Sequence, residues 1–240
     1  GFDYIGEPTP WNGTGKGAQG TWPSPKNSYF GIIDTAGFPK DSYYFYQSQW
    51  NDEVNTLHIL PAWNEDAVKK DSSGKVPVVV YTDAKKVELF FTDAKTGDKK
   101  SLGTKEFTQK QSNTQGYTYQ YYEGTDKSGT EHKNLYLTWQ VPYKAGTISA
   151  VAYGQDGQKI SEEKLNGRTS VTTTGEKKNL KATVDRDTIA ADGADLTYVT
   201  VDVTDRDGNI IPNAEDKVSF KVEGEGKLVG IDNGRQDDHT

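Results

Sequence analysis

The chain has 240 residues and a formal net charge of −7, with 28 Lys and Arg against 35 Asp and Glu. This acidic balance argues against nucleic-acid binding, because affinity for a polyanion depends on basic side chains that neutralise phosphates. The absence of Cys excludes disulfide bonds, thiolate zinc sites and a cysteine nucleophile. No run approaches the roughly 18 apolar residues of a membrane helix, so we expect no membrane insertion.

Residues 1–53 differ in composition from the remainder of the chain and begin with GFDYIGEPTPWNG. This apolar and aromatic start is typical of the end of a buried strand, and we therefore expect it to be cut from a larger protein. A Gly-rich loop follows, and Asp41 after Pro39 then predicts the N-cap of a helix. Tyr43, Tyr46 and Trp50 would share one face of that helix and serve packing. A strand is the alternative, because the segment is rich in β-forming residues.

Residues 54–175 consist of short alternating or β-branched runs separated by turn sequences. This pattern of short strands and turns predicts an Ig-like β-sandwich that lacks the Cys pair of antibody domains. Trp139 is expected in its core, and Trp63 could cover its junction with the preceding segment. The seven predicted strands are residues 55–60, 76–82, 86–92, 117–123, 134–141, 147–154 and 168–174.

Residues 172–179 read as a polar linker, and the charge balance turns more acidic beyond it. The segment 176–240 alternates again with a period of two around Val199, Val201 and Val203, and about four strands are visible. We expect a second bacterial Ig-like, invasin-type domain that is truncated. Residues 205–209 invite a calcium interpretation, but they lack the acidic positions of an EF-hand loop and predict a hairpin turn.

Two stretches carry a family resemblance, FDYIGEPTPW and YFGIIDTAGFPKDSYYFYQSQW. Together they resemble the last strand, loop and helix of the catalytic (β/α)8 barrel in β-galactosidases of glycoside hydrolase family 2. The segment from LPAWNEDAVKK to TISAVAYG is similar to the Ig-like domain that follows the barrel in streptococcal cell-surface members. ATVDRDTIAADGADLTYVTVDVTDRDGNIIPNA is similar to their next, invasin-type domain.

The resemblance implies a mainly β chain: the end of a barrel (1–53), an Ig-like β-sandwich (54–175) and a second Ig-like domain (176–240). It also implies a retaining β-galactosidase that uses two carboxylates and no cofactor. In the family both catalytic glutamates precede the block that opens this sequence, so the chain would be inactive alone. Its expected partners are the missing barrel portion and, through the parent enzyme, a galactoside or glycan. The expected location is extracellular, secreted or on the bacterial surface.

Four residues of the first segment are candidates for substrate binding: Asp3, Glu7, Trp11 and Trp22. Asp3 and Glu7 cannot be a catalytic pair, because Pro8 disfavours helix and an extended chain would separate their side chains by roughly 13 Å. The resemblance places both at the barrel mouth, whereas the alternative gives them local turn roles. Trp11 and Trp22 flank the Gly-rich loop and would either stack on sugar rings or pack against the barrel rim.

A hypothesis of another class is a non-catalytic adhesion or spacer module of a bacterial surface protein. The sandwiches themselves would then bind host glycan or protein. Under this hypothesis residues 1–53 would fold together with residues 54–175 as one compact unit.

Overall fold

The structure is a computed structural model, and it describes residues 31–114, 116–125 and 131–235. It confirms the mainly β fold class, with sandwich-like sheets. The elements in chain order are α1 (Asp41–Trp50), β1 (Asn55–Leu60), β2 (Lys75–Thr82), β3 (Lys86–Asp93), β4 (Lys99–Glu106), β5 (Thr108–Gln111), β6 (Thr118–Thr125), β7 (Glu131–Asn134), β8 (Leu137–Pro142), β9 (Gly146–Tyr153), β10 (Leu165–Asn166), β11 (Ser170–Thr172), β12 (Asn179–Val184) and β13 (Val199–Thr204).

Two four-stranded sheets enclose the main core. One sheet has the order β10-β1-β2-β8 and the other has the order β11-β9-β3-β4. Strands β2, β3, β8 and β9 bury alternate residues, as expected when one face of each sheet is packed on the other. Leu57, Val78, Leu89, Leu137 and Ile148 are fully buried in the shared cluster.

Two tryptophans belong to this core. Trp139 is 5 % exposed, which confirms its predicted place in the sandwich. Trp63 is fully buried, and its ring centroid lies 5.2 Å from that of Tyr143 with the planes tilted by 44°. Its indole nitrogen donates to the Lys144 carbonyl at 2.9 Å. Trp63 is therefore part of the sandwich core. Its predicted cover over the junction with the first segment stays a prediction, because residues 1–30 lie outside the described part of the chain.

Helix α1 packs on the outer side of the first sheet, against β1 and β2. The predicted helix is confirmed, but the predicted N-cap is wrong, because Asp41 is the first helical residue and Lys40 precedes it without a side-chain cap. Asp41 instead uses its carboxylate for contacts with the sandwich. At the other end, Asn51 accepts from the main-chain N–H groups of Glu53 and Val54, which turns the chain into β1. This ten-residue helix is the one α-helix among the described residues, and it is too short and polar to cross a membrane.

Strands β5, β6 and β7 form a separate three-stranded sheet inserted between β4 and β8. Beyond the sandwich, β12 and β13 form an antiparallel pair. The turn predicted at residues 205–209 is confirmed: the Asp205 N–H donates to the Asn209 carbonyl, and Gly208 has a φ of +84°. In residues 176–235 two strands are present where about four were expected, and many apolar side chains of this region are exposed.

Candidate functional site

The four candidate substrate-binding residues, Asp3, Glu7, Trp11 and Trp22, lie outside the residues that the structure describes. A cluster of polar and aromatic side chains lies instead at the contact between α1 and the first sheet. Five residues form it, and we name them the His58 cluster: Asp41, Tyr44, His58, Tyr81 and Arg168.

His58 is the centre of this cluster. It lies in β1 between Leu57 and Ile59, and its ring is 2 % exposed because α1 covers the outer face of the strand. The ring of Tyr44 stacks on the imidazole with centroids 3.9 Å apart and planes 8° apart. Tyr81 is the cross-strand partner of His58 on β2. Its ring centroid lies 6.5 Å from that of the imidazole, and the two planes are 10° apart. A buried polar ring is thus held between aromatic surfaces contributed by the helix and the sheet.

Both nitrogens of the imidazole have partners. The main-chain N–H of Arg168 donates to Nδ1 at 3.2 Å, so Nδ1 carries no proton. Nε2 therefore carries the proton and donates it to Asp41 Oδ1 at 2.8 Å. The Arg168 guanidinium donates to the same carboxylate oxygen at 2.5 Å. Asp41 thereby joins the first turn of α1 to two separate segments of the sandwich.

Burial and charge set the protonation of the cluster. Burial, assisted by the Arg168 charge, lowers the pKa of His58 below its usual 6.5, and the Asp41 carboxylate only partly opposes this. Burial by itself would raise the pKa of Asp41, but the hydrogen bond from His58 and the Arg168 charge outweigh it and lower the pKa below 3.8. A neutral imidazole and an ionised carboxylate are therefore the stable pair at neutral pH.

This arrangement joins two parts of the molecule rather than performing chemistry. A general base or a metal ligand needs a free nitrogen lone pair, and the single lone pair of neutral His58 is used by the Arg168 N–H. Among residues 31–114, 116–125 and 131–235, no group of three or more acidic or His side chains could hold a metal ion. The His58 cluster is accordingly a structural junction.

Further contacts extend the junction along α1. The ring of Phe45 meets Tyr81 edge-on at 5.3 Å, and Tyr81 in turn meets Tyr136 at 6.0 Å. The Thr56 hydroxyl, which is fully buried, donates to Gln47 Oε1 at 3.1 Å. Helix and sheet are therefore joined by aromatic packing and by satisfied buried polar groups, which fix their relative orientation more tightly than apolar packing alone.

Sequence analysis assigns no role to His58. Its signal was weak but present: a His between two large aliphatic residues in NTLHIL must be buried if the strand is covered on both sides. The preceding aromatic helix supplies that cover. The pairing with Arg168 could not be found from sequence, because 110 residues separate the two positions.

Two family models match parts of the chain. Residues 180–240 match glycoside hydrolase family 2 C-terminal domain 5, and residues 73–161 match a domain of unknown function, DUF4982. Over 234 residues the chain is 35 % identical to beta-galactosidase BoGH2A of Bacteroides ovatus, covering 98 % of this chain and 22 % of that protein. It is 33 % identical over 241 residues to a putative beta-glucuronidase of Formosa agariphila, covering 100 % of this chain and 19 % of that protein.

Solved structures show the same kinship. A beta-glycosidase from Bacteroides vulgatus superposes with a TM-score of 0.67 at 28 % identity, covering 99 % of this chain and 24 % of that one. A glycosyl hydrolase family 2 member from Bacteroides cellulosilyticus superposes with a TM-score of 0.55 at 25 % identity, covering 87 % of this chain and 25 % of that one. The chain thus spans a quarter or less of the length of these relatives. By sequence and by structure, the chain is therefore similar to part of the enzymes of glycoside hydrolase family 2.

Proposed function

We propose that this chain is a non-catalytic part of a β-galactosidase that removes terminal β-linked galactose from glycans by a retaining double displacement. The observation that carries the proposal is the 35 % identity to beta-galactosidase BoGH2A across 98 % of the chain. A second protein named beta-galactosidase, from Thermoanaerobacter pseudethanolicus, is 27 % identical over 84 % of the chain. A retaining mechanism needs two carboxylates on the enzyme and no cofactor.

Within such an enzyme the sandwich would support the catalytic part. Helix α1 is held on the first sheet by the His58 cluster, so a barrel continuous with α1 would be fixed in orientation relative to the sandwich. The barrel portion is the partner that this proposal requires. We also propose that the enzyme acts outside the cell, at the bacterial surface or secreted. This location rests on the resemblance to streptococcal cell-surface members of the family.

A β-glucuronidase is the second candidate, because the chain is 33 % identical to a putative beta-glucuronidase across its whole length. The two substrates differ in chemistry: a glucuronide carries a carboxylate where a galactoside carries a neutral hydroxymethyl group. An enzyme for the glucuronide needs a cationic or hydrogen-bonding partner for that carboxylate. Substrate choice is therefore a sharp test between the candidates.

The test compares the 240-residue chain with the full-length natural protein on nitrophenyl β-galactoside and nitrophenyl β-glucuronide. We expect no nitrophenol release by the 240-residue chain, and faster hydrolysis of the galactoside than of the glucuronide by the full-length protein. Turnover by the purified chain would refute its non-catalytic role. Hydrolysis of the glucuronide alone would favour the second candidate. A full-length protein without glycosidase activity would favour the adhesion or spacer module.

A further inference from the structure

An open groove lies between the C-terminal half of α1 and the hairpin of β5 and β6. Its volume is about 1030 Å³, a size that suits a small organic ligand. Two kinds of side chain dominate its lining. The rings come from Phe45, Tyr46, Trp50, Tyr117 and Tyr119, and the amides come from Gln49, Gln109, Gln111, Asn113, Gln120 and Gln155.

The rings form two short ladders, one on each side of the groove. On α1, Tyr46 and Trp50 are four residues apart and their centroids lie 4.7 Å from each other. On the other side, Tyr117 directly before β6 and Tyr119 within it line the groove, and their ring centroids are 6.2 Å apart. The ring of Tyr121, the next alternate residue of β6, lies 6.0 Å from Tyr119 and is buried. Trp50 is 76 % exposed and Tyr117 is 55 % exposed, so both offer ring surface to a ligand.

Three of the glutamine side chains are fixed by a hydrogen bond from their Nε2 group. The Nε2 groups of Gln49, Gln111 and Gln120 donate to main-chain carbonyls at 3.4, 3.3 and 3.1 Å. In the part of the chain that the structure describes, the Oε1 atoms of these three residues accept no hydrogen bond. Three oriented acceptors are therefore available to hydroxyl groups of a ligand.

The few charged side chains of the groove indicate which class of ligand it suits. Asp83 and Lys110 are the two charged residues that line the groove, and their charges are opposite. An anionic chain would gain little there, because binding of a polyanion needs several cations. An apolar helix or peptide face would bury amide groups without partners, which is costly. A ligand with alternating C–H faces and hydroxyl groups satisfies both rings and amides.

We propose that this groove binds a neutral oligosaccharide, with pyranose C–H faces on the rings of Trp50 and Tyr117 and hydroxyls donated to the glutamine Oε1 atoms. The groove chemistry alone specifies a neutral sugar chain. The choice of galactose within that class rests on the proposed function.

The test is calorimetric titration of the 240-residue chain with three tetrasaccharides, made of galactose, of glucose and of galacturonate. We expect the galactose chain to bind and the galacturonate chain not to bind. Trp50→Ala and Tyr117→Ala should each weaken binding about tenfold, which is the scale of a lost aromatic contact. Gln111→Leu and Gln120→Leu keep the side-chain size and remove the acceptors, so they should weaken binding as well.

The matched control is Tyr198→Ala. Tyr198 is 65 % exposed, as an isolated tyrosine outside the groove, and its removal should leave binding unchanged. Circular dichroism of each variant shows that the fold is retained. Binding of the glucose chain but not the galactose chain would support the groove and contradict the choice of galactose, independently of the hydrolysis assay. No binding of either neutral chain, or equal binding by the native protein and the ring variants, would overturn the proposal.

Discussion

A buried histidine needs hydrogen-bond partners for its ring nitrogens, and both nitrogens of His58 have them. Its ring accepts from the Arg168 main chain and donates to Asp41, and this pattern is available only to the neutral form with the proton on Nε2. A second proton, on Nδ1, would point at the Arg168 N–H. The junction between α1 and the sandwich is therefore built for a neutral imidazole.

The stability of the chain should consequently fall on mild acidification. The pKa of His58 is lowered in the folded state, so the unfolded chain binds the proton first. The contribution of His58 to the free energy of unfolding is complete above about pH 6.5 and decreases as the pH falls towards the lower folded pKa. Asp41 stays ionised through this window, because its own pKa is lowered below 3.8.

This prediction is checked by urea unfolding between about pH 7 and about pH 5. We expect the native chain to lose stability across this range, and His58→Gln to show a flatter profile at lower overall stability. His132→Gln is the matched control, since His132 is exposed on β7. Parallel profiles for the native chain and His58→Gln would contradict the assigned protonation state.

Asp205 organises the turn between β13 and the following segment. Its carboxylate, in a residue 3 % exposed, accepts from the main-chain N–H groups of Gly175, Asp207 and Asn209, each at 2.9 Å. The Asn209 side-chain hydrogen bond and these N–H groups lower the pKa of Asp205 to about 2. Its contribution to stability is thus present above about pH 4 and is lost as the pH falls towards 2.

Asp205→Ala should therefore lower the stability of this region by about 2 kcal/mol, since several buried donors lose their acceptor. The measurement is the urea midpoint, together with hydrogen exchange of the Gly175 and Asn209 amides. Asp207→Ala is the control, because the Asp207 side chain is 72 % exposed. Equal effects of the two substitutions would show that the carboxylate of Asp205 is not the organising group.

At the scale of elements, the strands that the sequence predicts are the buried ones, and the exposed strands carry no pattern that predicts them. Strands β1, β2, β3 and β9 have apolar patterns and were predicted to within about two residues. Strand β4, KKSLGTKE, and strand β5, TQKQ, were missed because they are exposed and carry no apolar alternation. The predicted strand 134–141 is two elements: β7 ends at Asn134 and pairs with β6, whereas β8 begins at Leu137 and pairs with β2.

The pairing of β3 with β9 depends on a glycine. A Cβ at Gly146 would lie 2.2 Å from the Thr92 carbonyl oxygen and 2.7 Å from the ring of the buried Phe91. Gly146→Ala should therefore destabilise the sandwich by about 2 kcal/mol, as overpacking commonly does. Thermal unfolding measures the change, and Gly230→Ala is the control because, apart from its chain neighbours, no atom of the described residues lies within 4 Å of its added Cβ. A melting temperature unchanged in Gly146→Ala would show that the two strands separate at little cost.

At the scale of the whole chain, burial is uneven. Among the described residues, the fully buried apolar side chains lie in the sandwich, from Leu57 to Ala152. Residues 176–235 contain one pair of strands, and Val199, Val229 and Ile231 are each more than half exposed. The alternation around Val199, Val201 and Val203 predicted β13 correctly. Alternation does not predict that these apolar side chains are exposed, because it shows which face of a strand is apolar but not whether another element packs on that face.

This contrast predicts the order in which the chain opens. A two-stranded pair is marginally stable by itself, whereas the sandwich buries its apolar faces in two four-stranded sheets. Trypsin should therefore cleave first at Lys217, Lys221 and Lys227, and leave a resistant fragment that contains β1 to β11. Mass spectrometry of a digestion series identifies the fragments.

The core variant Leu89→Ala tests whether the resistance comes from the sandwich core. Leu89 is fully buried, and truncating it should cost about 3 kcal/mol and expose the strands to early cleavage. Val229→Ser, at a side chain 75 % exposed, should leave the pattern unchanged. Cleavage within β1 to β9 before residues 217–227 would contradict this order, since it would mean that the exposed apolar segment is the better protected of the two.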